Sequence, residues 1–311
     1  MAYFITIDGG TTNTRISLVS DEKILSTQKL SIGARAGIDD KEPLKQAIQK
    51  SIAEQLFAAD LTQNNVEAIL ASGMITSELG LYTVPHLPLP AGIKELHRGM
   101  VRVLLPTISE IPFCFIPGVR TQSEDFTALD MMRGEETELM GIWDPSDQNA
   151  VYVLPGSHSK VIQTNQEGQI LTFSTLLTGE LAQSVAQNTI LKDAIDLTVE
   201  GLDEIFLQQG YSYCKECGIN KALFKIRILK NLCHASAIEV YSFFMGVILC
   251  AEVHEILSYP AAKIVIGGRE QLKNALVSLL KQNSDREVIA LCQKDVESSV
   301  IRGMLRIYHA T

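Results

Sequence analysis

The sequence predicts an α/β protein built from two similar domains. A strand, a loop rich in glycine and hydroxyl residues and a second strand occur at residues 4–19, and the same order recurs at residues 151–164. Helices and further strands follow each of these segments, which is typical of a duplicated α/β unit. The chain has 311 residues, 46% of them hydrophobic, and can therefore bury two cores. We expect an N-terminal domain over residues 1–125 and a C-terminal domain over residues 126–311.

The composition argues against several classes of protein. The formal net charge is -9 and no dense run of lysine or arginine occurs, so nucleic acid and anionic membranes are not expected partners. The N-terminus begins on a strand-like run without an export signal, and the six cysteines are scattered, which indicates a cytoplasmic protein with reduced thiols. The most apolar stretch, residues 243–251, is much shorter than the roughly 20 residues that span a bilayer. It predicts a buried helix.

The first loop has the composition of a phosphate-binding turn. Paired glycines let the backbone approach an anion closely, and neighbouring hydroxyl groups can surround phosphate oxygens. Asp8 ends the first strand and could hold magnesium. Because β-type residues follow the loop, it differs from P-loops and dinucleotide-binding loops, in which a helix follows. A plain surface hairpin is the alternative. The residues expected to bind phosphate here are Asp8, Gly9, Gly10, Thr11, Thr12, Asn13 and Arg15.

The rest of the first half predicts a sheet covered by a helix. Residues 23–29 can form a third strand, residues 41–59 an amphipathic helix and residues 66–71 a buried strand. The buried strand ends in Ser72-Gly73-Met74, a candidate substrate loop because ligands bind at the carboxyl ends of such strands. A simple strand-to-helix connection is equally compatible. Residues 82–117 contain six of the ten prolines and show no helical pattern, so we expect an irregular segment whose His86 and His97 are surface or structural residues rather than catalytic ones.

The second half begins with helical spacing over residues 126–143, which include an acidic cluster at Glu135, Glu136 and Glu138. These acids could act in proton transfer or simply favour the N-terminus of a helix. A second phosphate-type loop follows, with Gly156, Ser157, His158 and Lys160 as its candidate ligands.

The remaining residues predict mainly helices. Residues 181–257 are helical by pattern, and a strand at 263–266 ends at Gly267-Gly268, where a ribose or flat ring could lie close to the backbone. A helix over 269–280, a strand over 288–291 and a helix over 296–308 complete the chain. Cys214 and Cys217 have the spacing of half a zinc site, but no second pair matches them, so they are interpreted as structural or incidental.

Several motifs together resemble known enzymes. Asp8-Gly9-Gly10-Thr11-Thr12 followed by Arg15 is similar to the first phosphate motif of the sugar kinase, heat-shock-protein 70 and actin superfamily. That resemblance implies two ribonuclease-H-like domains on either side of an ATP cleft. Segments from across the chain resemble the 2-dehydro-3-deoxygalactonokinase family: residues 132–141, 154–160, 178–181 and 251–253. The family resemblance implies phosphorylation of 2-dehydro-3-deoxy-D-galactonate at its 6-hydroxyl in galactonate catabolism, with ATP and Mg²⁺.

The resemblance also suggests roles for residues. Gly134-Glu135 stands where related carbohydrate kinases have the Gly-Asp segment that carries the general base, so Glu135 is the expected base and Glu136 its competitor. Ser72-Gly73-Met74 resembles a sugar-contacting loop, and either Arg133 or Lys160 could hold the substrate carboxylate. The predicted substrate-binding residues are Ser72, Gly73, Met74, Arg133, Thr178 and Glu180. Gly267 and Gly268 are expected to contact adenosine. Asp8 is the expected metal ligand.

Two other functions share these motifs. Another small-molecule kinase of the superfamily, of the ketose or pantothenate type, would differ mainly at residues 72–98 and 178–181. A non-catalytic actin-like nucleotide-binding protein is the other alternative, although no segment for filament contacts or DNA binding is evident. The sequence leaves the oligomeric state open, with a homodimer as one option.

Overall fold

The computed structural model describes residues 2–20, 23–38, 40–147, 149–268 and 270–310. The chain forms two compact units. The first comprises Met1–Ser146, Asn165–Thr172 and Lys294–Thr311, and the second comprises Asp147–Thr164 and Phe173–Gln293. This division differs from the boundary predicted near residue 125, because the acidic segment and the C-terminal helix both belong to the first unit.

The chain contains both strands and helices, in several runs of each kind. The strands are β1 (Tyr3–Gly9), β2 (Thr14–Ser20), β3 (Lys23–Leu30), β4 (Val66–Gly73), β5 (Leu87–Pro88), β6 (Val101–Leu105), β7 (Ser109–Phe115), β8 (Val119–Arg120), β9 (Met131–Met132), β10 (Ala150–Leu154), β11 (Ser159–Thr164), β12 (Ile170–Leu176), β13 (Lys263–Ile266) and β14 (Glu287–Ala290). The helices are α1 (Glu42–Ala58), α2 (Ile93–Gly99), α3 (Glu135–Ile142), α4 (Thr178–Asn188), α5 (Glu204–Cys217), α6 (Ile219–Asn231), α7 (Ala237–Ser258), α8 (Glu270–Asn283) and α9 (Gln293–Tyr308).

The two main sheets share a topology. The first has the order β3-β2-β1-β4-β7-β6 and the second has the order β12-β11-β10-β13-β14. In each sheet the first hairpin is antiparallel, β1 with β2 and β10 with β11, and its first strand pairs in parallel with the next central strand. The predicted repeat of strand, loop and strand is therefore confirmed, and so is the α/β class.

The proline-rich segment is more regular than expected. Its prediction as irregular chain was wrong, since it contains α2, β6 and β7, and β7 lies between β4 and β6 within the sheet. Pro112 is tolerated because the β7 pairing with β4 begins only at Phe113 and the register with β6 shifts beside it. Phe113 and Phe115 of β7 are fully buried in the first core.

The segment over residues 126–143 is only partly helical. A 3-10 turn and the short strand β9 precede α3, which begins at Glu135. Gly134 has φ of 113°, a left-handed backbone that interrupts any helix, so the predicted continuous helix was wrong. The small sheet β5-β8-β9 uses the extended residues before this glycine.

Helix α3 packs against α9 through small residues. A Cβ at Gly141 would collide with the Ser299 carbonyl, and one at Gly303 would collide with the Thr137 carbonyl. Arg306 on α9 donates to the carbonyls of Met140 and Trp143, at 2.9 and 3.1 Å, and so satisfies groups at the end of α3. These contacts explain why both helices belong to one unit.

The second unit is organised around α7. This 22-residue helix is long and apolar enough to cross a membrane, but 72% of its most apolar window is buried inside the protein. It packs against α4, α5, α6 and α8 and contributes Phe244, Leu249 and Val253 to the core. The predicted buried helix is confirmed, and its continuous apolar sequence is accounted for by burial on nearly all sides.

Candidate active site

The first phosphate loop is a tight, braced turn. Asp8 and Arg15 face each other in the β1–β2 register, and the Gly10 N–H donates to the Asn13 carbonyl at 2.9 Å. The chain after β3 supports the loop from behind, because the N–H groups of Ala34 and Arg35 donate to the carbonyls of Gly10 and Thr11. Thr11, Thr12 and Asn13 remain exposed. Their side chains are therefore accessible to an anionic ligand.

Three glycines bring the chemical groups of the first unit together. Gly9 ends β1, Gly73 ends β4 and Gly134 precedes α3. A Cβ at Gly73 would lie 2.6 Å from the Gly9 carbonyl oxygen, and a Cβ at Gly134 would lie 3.2 Å from the Gly73 Cα. Glycine is thus required for the approach of the strand ends and the helix start. As a result Asp8, which precedes Gly9, lies near the first turn of α3.

Glu135 and Glu136 have different environments. Glu136 is completely buried, and both its carboxylate oxygens accept from the Gly134 N–H, at 2.9 and 2.8 Å. The Thr137 hydroxyl also donates to it at 3.1 Å. Glu135 is partly exposed and accepts from the Arg133 N–H at 3.2 Å. Glu136 therefore braces the helix start, whereas the Glu135 carboxylate can be reached by a substrate.

The sequence reasoning did not assign a role to Glu138, one turn further along α3. Burial, with Asp8 and Glu135 nearby, raises its pKa to about 8, while Arg15 opposes the shift. The pKa of Asp8 is also raised, chiefly by burial, although Arg15 lowers it and Glu135 raises it further. The i,i+3 spacing of Glu135 and Glu138 is a signal that could have identified this second acid. Asp8, Glu135 and Glu138 therefore form an acidic cluster, and a bound cation would reduce the repulsion between their carboxylates.

The arrangement fits magnesium held together with nucleotide phosphates. Among the described residues no group of three His, Cys, Asp or Glu side chains is placed to hold a metal by itself. Mg²⁺ commonly binds through one or two carboxylates plus substrate phosphates and water. Asp8 supplies such a carboxylate beside the exposed hydroxyl groups of the first loop.

The unfolding free energy should depend on pH through Glu138. Between the unfolded pKa near 4.5 and the folded pKa of about 8, the folded protein retains a proton that the unfolded chain has released. Raising the pH through this window therefore destabilises the fold. We expect Glu138→Gln to lose less stability than the wild type between pH 5 and pH 8, by at least about 1 kcal/mol. Urea unfolding of the nucleotide-free protein at several pH values measures this.

Glu110→Gln provides the control, because Glu110 is an exposed acid of the same unit, on β7. Its pH profile should match that of the wild type. Parallel profiles for the wild type and Glu138→Gln would contradict the expectation.

Two predicted substrate residues of the first unit have structural partners. The Ser72 hydroxyl is fully buried and lies 2.7 Å from the Thr137 hydroxyl, which links β4 to α3. The Arg133 guanidinium donates to the carbonyls of Thr76 and Val84, each at 2.8 Å. Ser72 and Arg133 therefore hold the loop after β4 in place, and the Arg133 terminal nitrogens are already bonded to protein. Met74 follows Gly73 in the same loop and is partly exposed.

The second phosphate loop is tied to the start of α4. The N–H groups of Gly179 and Glu180 donate to the carbonyls of Gly156 and Ser157, both at 3.1 Å. His158 Nε2 lies 2.6 Å from a Glu180 carboxylate oxygen. Thr178 and Glu180, predicted to bind substrate, thus belong to the second phosphate loop in the second unit. A Cβ at Gly156 would meet no atom within 4 Å, so the backbone there is open to a ligand.

Lys160 is not exposed on this loop. Its side chain is 3% exposed and its Nζ donates to the His158 carbonyl at 3.3 Å. Below it, Glu252 on α7 lies beside the hydroxyl groups of Ser159 and Thr178, and burial raises its pKa. No described atom forms a hydrogen bond of normal length with either Glu252 carboxylate oxygen. The sequence motif around Glu252 had signalled the family but no role for this residue.

A cavity adjoins the second loop. Its volume is about 180 Å³, and it is lined by Gly156, Gly179, Gln183, Tyr241, Met245 and Leu272, among others. The predicted adenosine motif adjoins α8, which contributes Leu272. Gly268 has φ of 71°, and a Cβ there would lie within 2.8 Å of the Pro155 backbone nitrogen. The glycine pair therefore permits close contact with the second loop, whose Gly156 and Ser157 line the cavity.

Comparison with known proteins decides the family. The family model for 2-keto-3-deoxy-galactonokinase matches residues 8–307. The chain belongs to this family. The 2-keto-3-deoxy-galactonokinase match includes both phosphate loops, the start of α3 and the Gly267-Gly268 motif. The match excludes only residues 1–7 and 308–311.

A curated relative and solved structures extend the 2-keto-3-deoxy-galactonokinase match. The relative is from Rhizobium meliloti (strain 1021) and is named probable 2-dehydro-3-deoxygalactonokinase. It is 25% identical over 199 residues, which cover 62% of this chain and 59% of the relative. The crystal structure of a Sinorhizobium meliloti protein assigned as a 2-dehydro-3-deoxygalactonokinase has a TM-score of 0.79 at 20% identity, covering 99% of this chain and 100% of that one.

A more distant structure shows the wider fold of this 2-keto-3-deoxy-galactonokinase family member. The activator of 2-hydroxyisocaproyl-CoA dehydratase from Clostridium difficile has a TM-score of 0.51 at 11% identity, covering 98% of this chain and 94% of that one. The shared architecture is that of actin-like ATPases and sugar kinases, which confirms the predicted fold class.

Proposed function

We propose that the protein transfers the γ-phosphoryl group of ATP to the 6-hydroxyl of 2-dehydro-3-deoxy-D-galactonate. The observation that supports this most strongly is the partly exposed Glu135 carboxylate at the start of α3, beside Asp8 and at the ends of β1 and β4. The family match and the names of the relatives supply the substrate.

Glu135 acts as the general base in this proposal. The substrate oxygen forms a bond to the γ-phosphorus while the bond from that phosphorus to the bridging oxygen of ADP breaks, and the hydroxyl proton passes to the Glu135 carboxylate. Glu136 keeps Gly134 and the helix start in position through its hydrogen bonds. Such positioning matters because phosphoryl transfer depends chiefly on alignment and charge neutralisation.

In this proposal the nucleotide is bound by Asp8, the two phosphate loops and the cavity next to the second loop. Asp8 would hold magnesium together with the phosphates, and the ion would neutralise part of the triphosphate charge. The exposed side chains of residues 11–13 and the open backbone at Gly156 bind phosphate oxygens, and the cavity lined by Gly156 and Leu272 receives adenosine. The same proposal includes three further points: a division into two domains that each bind phosphate, a cytoplasmic location and a homodimer.

A coupled ADP-release assay tests the function. Purified protein with ATP and Mg²⁺ is assayed with 2-dehydro-3-deoxy-galactonate, its gluconate epimer, xylulose, glycerol and pantothenate. We expect the highest kcat/KM with the galactonate compound, and mass spectrometry should show its monophosphate. A preference for xylulose, glycerol or pantothenate would replace the substrate, and ADP release without any phosphorylated product would contradict the kinase proposal.

A further inference from the structure

The small sheet β5-β8-β9 gathers cationic and hydrogen-bonding side chains on one face. Pro88 pairs with Arg120, and Arg120 pairs with Met131, so these three side chains share a face. His86 lies two residues before Pro88 and Arg133 two residues after Met131. The alternation of a strand therefore places His86, Arg120 and Arg133 on the same face.

Direct contacts support this placement. Arg133 Nη2 lies 3.2 Å from His86 Nδ1. A Cβ at Gly118 would lie 2.7 Å from His86 Cδ2, so the His86 ring extends over Gly118. Gly118 precedes Arg120 by two residues and therefore shares its face.

The three groups differ in what they can offer a ligand. Arg133 uses Nη1 for Thr76 and Nη2 for Val84, and its charge is near Glu136. Since a guanidinium can only donate, His86 Nδ1 accepts from it, and the ring proton lies on Nε2. Arg120 is exposed. The outward face thus presents the Arg120 guanidinium and the His86 Nε2–H.

The electrostatics favour an anion at this face. Burial, together with Arg133 and Arg120, lowers the pKa of His86 to about 4, so the ring is neutral near pH 7. Both charged groups that act on His86 are cations. A neutral imidazole N–H beside an arginine suits a carboxylate, which accepts hydrogen bonds from both.

The position of the cluster relative to Glu135 matches the proposed substrate. The Arg133 backbone N–H donates to Glu135, whereas its guanidinium reaches His86. Counted from Cα to the guanidinium carbon, Arg133 contains as many chain atoms as the carbon backbone of a six-carbon acid. One end of such an acid can therefore lie at Glu135 while its carboxylate lies near His86.

We propose that Arg120 and the Nε2–H of His86 bind the carboxylate of the sugar-acid substrate, and that Arg133 positions His86 without binding the carboxylate. The inference rests on the proposed kinase function for the identity of the ligand. It replaces Arg133 and Lys160 as carboxylate partners by a residue whose guanidinium is exposed.

The test compares Arg120→Gln, Arg120→Lys and a matched control, Arg102→Gln. Arg102 is an exposed arginine of the same unit, on β6. Arg120→Gln should raise the KM for the sugar acid by about 10- to 100-fold, because charged hydrogen bonds are lost, while the KM for ATP stays unchanged. Arg120→Lys should recover part of the loss, since lysine keeps the charge but not the planar fork. Arg102→Gln should behave as the wild type.

A substrate analogue separates carboxylate binding from a general loss of activity. With the carboxamide in place of the carboxylate, Arg120→Gln and the wild type should have similar KM values. Equal KM values for the acid in the wild type and Arg120→Gln would overturn the assignment, as would an equal rise with acid and amide.

Calorimetric binding of the acid distinguishes this inference from the proposed function. Binding that depends on Arg120 without any turnover would support the carboxylate site and contradict the kinase proposal. Turnover with binding that does not depend on Arg120 would contradict only the carboxylate site. Absence of both binding and turnover in the wild type would overturn both.

Discussion

Glu135→Gln is expected to lower kcat for the sugar acid by about 10²- to 10⁴-fold, the range contributed by a general base. The amide keeps the size of the side chain but cannot accept the hydroxyl proton. Because Glu135 is partly exposed and accepts a hydrogen bond from the N–H of the nearby Arg133, the fold should change little. Single-turnover kinetics with saturating ATP, together with the KM for ATP, measure the effect.

Glu136→Gln is the matched control for the choice of base. Its carboxylate is completely buried and bonded to Gly134 and Thr137, so substitution should lower stability more than it lowers catalysis. We expect its kcat to stay within about tenfold of the wild type, well above that of Glu135→Gln. If Glu136→Gln lost activity and Glu135→Gln kept it, the assignment of the base would be reversed.

Gly73→Ala is expected to destabilise the first unit by about 2–5 kcal/mol. Gly73 has φ of 83° and ψ of -155°, a backbone region that is essentially restricted to glycine. Its added Cβ would also lie 2.6 Å from the Gly9 carbonyl oxygen. Because Gly9 follows Asp8 on β1, relief of this contact would displace the site as well. Urea unfolding gives the stability, and the ADP-release assay should show a matching loss of activity.

Gly218→Ala separates the two causes of that loss. Gly218 ends α5 with φ of 80° and ψ of 159°, but a Cβ there would meet no atom within 4 Å. This variant should lose only the backbone contribution, about 1–3 kcal/mol. Equal destabilisation by Gly73→Ala and Gly218→Ala would show that the contact with Gly9 contributes nothing.

Local patterns in the sequence were sufficient for most of the fold. The repeated strand, glycine loop and strand predicted two hairpins that the structure contains, because turn residues and apolar alternation act over short distances. The apolar run in α7 predicted a buried helix for the same reason. The motifs also led to the family, since phosphate-binding loops need particular residues at fixed spacing.

Tertiary structure decided the points that depend on distant residues. The sequence did not predict β7, because a proline such as Pro112 is tolerated in a strand only where the pairing with its neighbours allows it. Residues 126–134 have helical spacing, but the backbone of Gly134 prevents a helix there. Glu135 and Glu136 are adjacent and chemically identical in the sequence, yet only packing buries one and leaves the other accessible. Likewise the sequence does not indicate what Arg133 binds, whereas in the structure its guanidinium contacts Thr76, Val84 and His86. Burial and hydrogen bonding across long sequence separations determine these roles, and a pattern within a short segment carries no information about them.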